Sequence, residues 1–257
     1  MGGELPLKCQ VVSENRHDAS TLSRLHKGGS RIERHRHDEH QIVYPSSGVV
    51  AVHTDAGSWV APTNRAIWIP AGQWHEHHFF GATQFHCVVF DPADHGPGLR
   101  SPSVVTVSPL LRELIVAASV PEAHAPDELA RLRTVLLDQL RHSPEQALKL
   151  PSPSDIRLND ACAVVQEDLS RAWPLAELGR RVGASERTLS RLYRDEMGMT
   201  YPQWRTQVRL YRALQLLAEN EPVTHVAYRC GWSSPSAFIE VFRHTLGYTP
   251  GRATRAA

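Results

Sequence analysis

Two stretches near the end of this chain share one pattern: a short helix, a glycine turn and a second helix. The first spans residues 174–198 and turns at Gly183, and the second spans residues 227–250 and turns at Gly231. In each, a serine two or three residues after the glycine is placed to cap the second helix. Helix pairs of this kind place their second helix in the major groove of DNA. The pattern predicts an all-α C-terminal domain with two helix-turn-helix units.

The second helix of each unit divides into a packing face and an outward face. Leu189 and Leu192 mark the packing face in the first unit, and Phe238 and Phe242 mark it in the second. On the outward face, arginine can bind guanine through two hydrogen bonds, and serine and glutamate can reach base edges. Arg243, near a helix end, is expected to contact phosphate. The predicted DNA-binding residues are Ser185, Glu186, Arg187, Ser190, Arg191, Arg194, Ser234, Ser236, Ala237, Glu240 and Arg243.

Charge is distributed unevenly along the chain, although the formal net charge is only +1. Residues 171–257 hold 13 basic residues, all of them arginine, against 7 acidic ones. Residues 1–170 hold 15 basic and 20 acidic residues. A basic C-terminal part is expected where one end of a protein meets phosphate. This asymmetry supports double-stranded operator DNA as the partner.

The N-terminal part has a different period. Short β-rich runs at residues 41–44, 48–53, 65–69 and 84–90 are broken by Gly, Pro and Asp. Regular short strands with turn residues between them predict a sandwich or barrel. The predicted fold class is therefore α+β with two domains, an N-terminal cupin-like β-barrel followed by helices and a C-terminal helical domain.

Between these parts, two segments are helical in pattern. In residues 127–142, four leucines at helical spacing lie on one face, which either packs on its own domain or forms a dimer seam. The proline- and serine-rich segment after it predicts an extended linker. The predicted boundaries are 1–108 for a sensor domain, 109–149 for a helical connector, 150–156 for the linker and 157–257 for the DNA-binding domain.

Histidines are concentrated in the first 100 residues, which hold 11 of the 15. His35, His37 and Gln41 share one parity if the segment is a strand, and His75 follows a Pro–Gly turn. Histidine is the commonest metal ligand among side chains, so these residues are candidate ligands. His77 has the parity of His75 and is expected on the same side, whereas His40 and His78 are expected on the other.

Both halves resemble known families. Residues 157–257 resemble the DNA-binding domain of AraC/XylS-family transcriptional regulators, through the pattern from Ala227 to Pro250. Residues 20–92 resemble a cupin, through the spacing of the histidine motifs. The cupin resemblance implies a metal site at His35, His37, Gln41 and His75, with Gln41 in the position where cupins usually have Glu. Such a neutral shell suits Zn, Ni, Fe or Cu better than Mg or Ca.

The resemblances imply a transcriptional regulator that senses a metal ion or a small molecule and is not an enzyme. Three alternatives stay open: a metal-free pocket for an organic inducer, a regulator without any effector, and a cupin metalloenzyme with an accessory DNA-binding domain. Other expected properties are a homodimer, contact with RNA polymerase if the protein is an activator, and a cytoplasmic location without membrane association. The four cysteines form no CxxC pair and are expected as buried free thiols.

Overall fold

The computed structural model describes residues 20–94, 96–146 and 149–253, and its strands all precede residue 152. The strands are β1 (Leu22–His26), β2 (Arg31–His35), β3 (His40–Pro45), β4 (Val49–Thr54), β5 (Gly57–Ala61), β6 (Arg65–Ile69), β7 (His75–Phe80), β8 (Thr83–Phe90), β9 (Ser103–Thr106), β10 (Glu145–Gln146) and β11 (Lys149–Pro151). The helices are α1 (Pro109–Ala118), α2 (Pro126–Arg141), α3 (Ile156–Glu167), α4 (Leu175–Val182), α5 (Glu186–Met197), α6 (Tyr201–Ala218), α7 (Val223–Arg229), α8 (Pro235–Leu246) and α9 (Pro250–Ala253), and a 3₁₀ turn spans Pro121–Ala123.

The strands form two antiparallel sheets that pack face to face. One has the order β1-β8-β3-β6-β9-β10 and the other β11-β5-β4-β7-β2. Val43 and Ile67 from the first sheet join Val50, Val52 and Phe79 from the second in one buried cluster. This arrangement confirms the predicted cupin-like barrel.

The six-stranded sheet is buried on both faces. Val43 of β3 points into the barrel, while its neighbours Ile42 and Tyr44 pack under α1 and α2. The leucine face of α2 completes this second layer, with Leu136 and Leu140 buried. These leucines therefore pack within their own domain, the first of the two predicted alternatives for this face.

The predicted linker begins inside the sheet. Residues 149–151 form β11, in which Lys149 pairs with Trp59 and Pro151 with Gly57 of β5. Proline is tolerated here because β11 is an edge strand, where a missing N–H breaks no ladder bond. Asp155 then caps α3 by accepting a hydrogen bond from the Arg157 amide. Residues 152–155 are thus the part that connects the two domains without regular structure.

The C-terminal domain is helical, as predicted, and its two units pack differently. The first unit has its own core, in which Leu158, Leu189 and Trp204 are buried together. The core of the second unit, including Leu214 and Phe242, is continuous with that of the barrel. Helix α6 joins the units and contacts β4 and β7.

Two smaller expectations concern the cysteines and the membrane. Cys87, Cys162 and Cys230 are buried free thiols, as predicted, and Cys9 lies outside the described residues. Among the described residues, no helix combines the length and the apolar character needed to span a bilayer.

Candidate metal centre and nucleic-acid interface

Strand β7 carries ligand-type side chains on both faces. Because successive side chains of a strand point to opposite sides, His75 and His77 face the barrel interior, whereas Glu76 and His78 face outward. The solvent exposure follows this alternation: His75 and His77 are each 1% exposed, and Glu76 and His78 are intermediate. The predicted parity of His77 and of His78 is confirmed.

The interior histidines of β2 and β7 form a cluster. One ring nitrogen from each of His35, His75 and His77 can be chosen so that all three lie within 4.8 Å of one another. The ring centroids of His35 and His75 are 4.3 Å apart, and those of His75 and His77 are 5.1 Å apart. Pairing of β2 with β7, which sets His35 opposite His75, creates this arrangement. Three imidazoles at such spacing are a suitable donor set for a transition metal.

Backbone carbonyls orient three of the rings. Nδ1 of His35 donates to the Glu33 carbonyl at 2.8 Å, Nδ1 of His37 to the Glu39 carbonyl at 2.9 Å, and Nδ1 of His75 to the Gln73 carbonyl at 2.8 Å. A carbonyl oxygen can only accept, so each proton lies on Nδ1 and the lone pair lies on Nε2. This is the tautomer in which metal-binding histidines are usually held.

Several buried polar atoms at the cluster lack a hydrogen-bond partner within the described part of the chain. They are Nε2 of His37, Nε2 of His75, both ring nitrogens of His77 and Oε1 of Gln41. An unpaired buried polar group is costly, so each of these atoms is suited to an added ligand. Gln41 is oriented by its Nε2, which donates to Cys87 Sγ at 2.8 Å.

Burial keeps His75 and His77 uncharged. It lowers the pKa of His75 to about 3, with the Gln73 carbonyl opposing this shift and His35 and His37 adding to it. Burial also holds the pKa of His77 well below its ordinary value, and the charge of His75 is the next-largest cause of this lowering. Neutral imidazole is the form that binds metal.

The structure brings three of the four predicted ligands, His35, His37 and His75, together, while Gln41 is buried and bonded to Cys87. The four come from different elements. His35 ends β2, His37 follows it outside regular structure, Gln41 lies on β3 and His75 begins β7. The centroid of the His37 ring is 5.0 Å from that of His75. His77, which is outside the predicted set, lies in the cluster with His35 and His75. The sequence signal for His77 was the strand parity that it shares with His75.

The first helix-turn-helix unit has the predicted turn and cap. Gly183 ends α4 in the left-handed conformation with φ of 67°, where glycine is favoured. Ser185 then caps α5 by accepting a hydrogen bond from the Thr188 amide. Leu189 is fully buried, so α5 packs through the predicted face. Arg187, Ser190, Arg191 and Arg194 line a shared surface groove on α5 together with Thr188.

The second unit has the same turn and cap as the first, but some of its predicted DNA-binding side chains are partly buried. Gly231 provides the turn with φ of 79°, and Ser234 is the cap, accepting from the Ala237 amide. Ala237 packs partly against the core, so its side chain contributes more to packing than to an exposed face. The exposed members of the predicted set are Ser185, Glu186, Arg187, Arg191, Arg194, Ser236, Glu240 and Arg243, while Ser190, Ser234 and Ala237 are partly buried.

Comparisons with known proteins agree with both halves of the chain. Residues 19–150 match the model of the AraC-like ligand binding domain, and residues 178–256 match that of a helix-turn-helix domain. The HTH-type transcriptional regulator NimR of Escherichia coli K12 is 29% identical over 246 residues, covering 93% of this chain and 89% of that protein. GadX of Escherichia coli O6:H1 is 37% identical over 90 residues, covering 35% of this chain and 32% of GadX.

Among solved structures, a DNA-binding transcriptional dual regulator from Escherichia coli K-12 is 31% identical, covering 40% of this chain and 94% of that one, with a TM-score of 0.37. The family assignment rests on the domain models, which match most of the chain and coincide with its barrel and its paired helical units. The chain therefore belongs to the AraC family of DNA-binding transcriptional regulators, with a ligand-binding domain ahead of its helix-turn-helix domain.

Proposed function

We propose that this regulator responds to a divalent transition metal held in the barrel by His35, His75 and His77, with His37 and Gln41 at the edge of the site. The grouping of ligand atoms from these three histidines within 4.8 Å of one another supports the proposal most directly. The donor set suits Zn, Ni, Fe or Cu, because it consists of neutral nitrogens and an amide oxygen. A bound ion would supply the partner that the Nε2 atoms of His37 and His75 lack among the described residues.

The same strand that carries two of these histidines contacts the DNA-binding domain. Strand β7 packs against α6, the helix that joins the two helix-turn-helix units. An ion that draws His75 and His77 toward His35 would pull on β7 and so on the surface beneath α6. Metal occupancy would then change the geometry of α5 and α8 and with it the affinity for operator DNA.

We propose a binding role for the ion rather than a catalytic one, since the relatives of the chain are transcriptional regulators. Glu76, the carboxylate next to His75 in the sequence, faces the outside of the barrel. A homodimer and, for an activator, contact with RNA polymerase complete the proposal. Sedimentation equilibrium of the full chain with operator DNA tests the dimer.

Metal content of untagged protein and DNA-shift assays with and without chelator test the proposal together. We expect stoichiometric metal in the wild type, its loss in His35→Ala and His75→Ala, and altered operator affinity when it is removed. His142→Ala is the matched control, since His142 is exposed at the C-terminal end of α2. Absence of metal, with no effect of added Ni, Zn, Fe or Cu on DNA binding, would contradict the proposal and favour an organic inducer in the same barrel.

A further inference from the structure

A second cluster of metal-ligating side chains lies on the outer face of the same sheet. His53 of β4 is paired with Glu76 of β7, and His78 lies two residues further along β7. A ligand atom from each of His53, Glu76 and His78 can be chosen so that all three lie within 4.8 Å of one another. All three residues are partly buried, because α6 of the DNA-binding domain packs over this face. The cluster, called here the outer triad, is separated from the barrel interior by the strand itself.

Existing contacts already orient the outer triad. Nδ1 of His53 lies 2.6 Å from the hydroxyl of Ser58, which leaves Nε2 as its ligand atom. Nε2 of His78 lies 3.1 Å from Oε1 of Glu76. Donors around a tetrahedral zinc ion at 2.0–2.2 Å are separated by roughly 3.4 Å. The His78–Glu76 pair therefore has the spacing of a zinc site, and a ligand atom of His53 lies within 4.8 Å of those of both residues.

The chemistry of the outer triad differs from that of the interior histidines. Two imidazoles and one carboxylate form a common three-residue zinc set that keeps a fourth position open. The carboxylate of Glu76 offsets part of the charge of the ion, which the interior His and Gln donors do not. A cleft of about 140 Å³ reaches His53 and Glu76 from outside. Arg34 lines this cleft, but its guanidinium is ion-paired with Asp55 at 2.9 Å.

The fourth neighbour of the triad belongs to the other domain. The hydroxyl of Tyr211, on α6, lies 3.5 Å from Nε2 of His53. Because Ser58 already holds Nδ1, a metal ion and the Tyr211 hydroxyl would compete for the same nitrogen. Occupation of the triad would therefore weaken a polar contact between the ligand-binding domain and the helix that joins both DNA-binding units.

We propose that His53, Glu76 and His78 form a second zinc site, at the boundary between the two domains, and that a bound ion replaces the contact between His53 and Tyr211. This site uses different side chains from the interior one, although His75 lines the same cleft as His53 and Glu76. Zinc would act here on the interdomain surface directly, whichever ligand the barrel holds.

Zinc titration of the full-length protein against a chromophoric chelator tests the site. In a His35→Ala/His75→Ala background, which removes two of the three interior donors, we expect one remaining zinc equivalent. Adding Glu76→Gln and His78→Asn to this background should abolish zinc binding or lower its affinity at least tenfold. His225→Asn is the matched control, since His225 also contacts a carboxylate, Glu221, at 2.7 Å but belongs to no three-residue cluster among the described residues.

Two outcomes would overturn the site: no zinc in the background variant, or unchanged zinc after Glu76→Gln and His78→Asn. If the background variant does not fold, wild type and Glu76→Gln are compared, and equal stoichiometry and affinity overturn the site equally. Failure of the interior site alone is distinguishable, because the wild type and the background variant would then bind the same single equivalent of zinc.

Tyr211→Phe tests the competition. Since it removes only the hydroxyl, we expect severalfold tighter zinc binding in this variant. In the wild type, zinc should increase amide hydrogen exchange where α6 meets β7. Unchanged zinc affinity in Tyr211→Phe, together with unchanged exchange in the wild type, would show that the ion does not act on the interdomain contact.

Discussion

Arg65 of β6 donates a 3.0 Å hydrogen bond from Nη2 to the backbone carbonyl of Leu246, the last residue of α8. The side-chain amide of Asn64 donates to the same carbonyl at 3.4 Å. A helix C-terminus carries partial negative charge, so a guanidinium is a favourable partner there. The end of the second recognition helix is thus held by two barrel side chains.

We expect Arg65→Met to lower the free energy of unfolding by about 2 kcal/mol, because it removes a buried hydrogen bond from a charged group. Arg65 is only 5% exposed, so water cannot replace the lost donor fully. Urea denaturation of the full chain measures the change. Arg100→Met is the control, since Arg100 is exposed and should change stability by less than about 0.5 kcal/mol. Equal effects of the two substitutions would contradict the role assigned to Arg65.

Substitutions at Gly81 and Gly72 distinguish the cost of backbone strain from the loss of an interdomain contact. Both have left-handed backbones, with φ of 68° and 74°. A Cβ on Gly72 would meet nothing within 4 Å, whereas one on Gly81 would overlap the carbonyl oxygen of Ala218 at the end of α6. We expect Gly72→Ala to cost about 1–2 kcal/mol from the backbone alone.

Gly81→Ala should cost more than Gly72→Ala and should also push the two domains apart. Limited proteolysis in the connecting residues 152–155 measures this separation, with faster cleavage expected only for Gly81→Ala. Equal cleavage rates for both variants would show that the contact with Ala218 does not hold the domains together.

His86 should make stability depend on pH. Its ring bridges the barrel and α1, with Nε2 2.8 Å from the Ser46 hydroxyl and Nδ1 2.9 Å from that of Ser119. Burial, and then the charge of Arg112, lowers the pKa of His86 to about 4. Between the ordinary pKa of 6.5 and this value, the unfolded chain binds one more proton than the folded one. The effect of His86 is therefore to leave stability unchanged above pH 6.5 and to lower it as the pH falls toward 4.

At about pH 5, this histidine should lower the free energy of unfolding by roughly 2 kcal/mol relative to pH 7, since one unit of pKa difference is worth about 1.36 kcal/mol. Urea unfolding of the wild type and His86→Gln at both pH values, in the presence of chelator, isolates the contribution. The variant should lose less stability on acidification. Identical losses in both proteins would show that His86 is not the responsible group.

Arg191 is expected to read a base. It is exposed on the outward face of α5, in the groove that it shares with Arg187 and Ser190. Arg191→Ala should weaken operator binding by about 1–3 kcal/mol, or roughly 5- to 150-fold, and relax the preference at one position of the operator. DNA-shift assays with the operator and its single-position variants measure both effects.

Arg194→Ala is the comparison for this prediction. Arg194 lies one turn beyond Ser190 toward the C-terminal end of α5, and its Nη1 donates to the Ser190 hydroxyl at 3.0 Å. Contact with phosphate is expected at this end of the helix. Its loss should weaken binding to all sequences alike and reduce the salt dependence. Unchanged affinity and preference in Arg191→Ala would remove Arg191 from the base-reading set.

Local patterns predicted much of the fold. Gly183 and Gly231 lie in left-handed turns, Ser185 and Ser234 are helix caps, and the predicted strand at residues 65–69 is β6. Each of these depends on a few neighbouring residues: a positive φ, one capping hydroxyl, or a run of apolar side chains. The alternation of β7 was likewise readable, because strand parity is local.

The sequence by itself therefore determined which elements form and which side chains share a face. Only the tertiary structure decided which faces meet. His35 reaches His75 because β2 pairs with β7, and His53 reaches Glu76 because β4 pairs with the other edge of β7. Tyr211 contacts His53 across 158 positions of sequence because α6 packs on that sheet. Such contacts depend on strand pairing and domain packing between distant segments, which no local period of the sequence encodes.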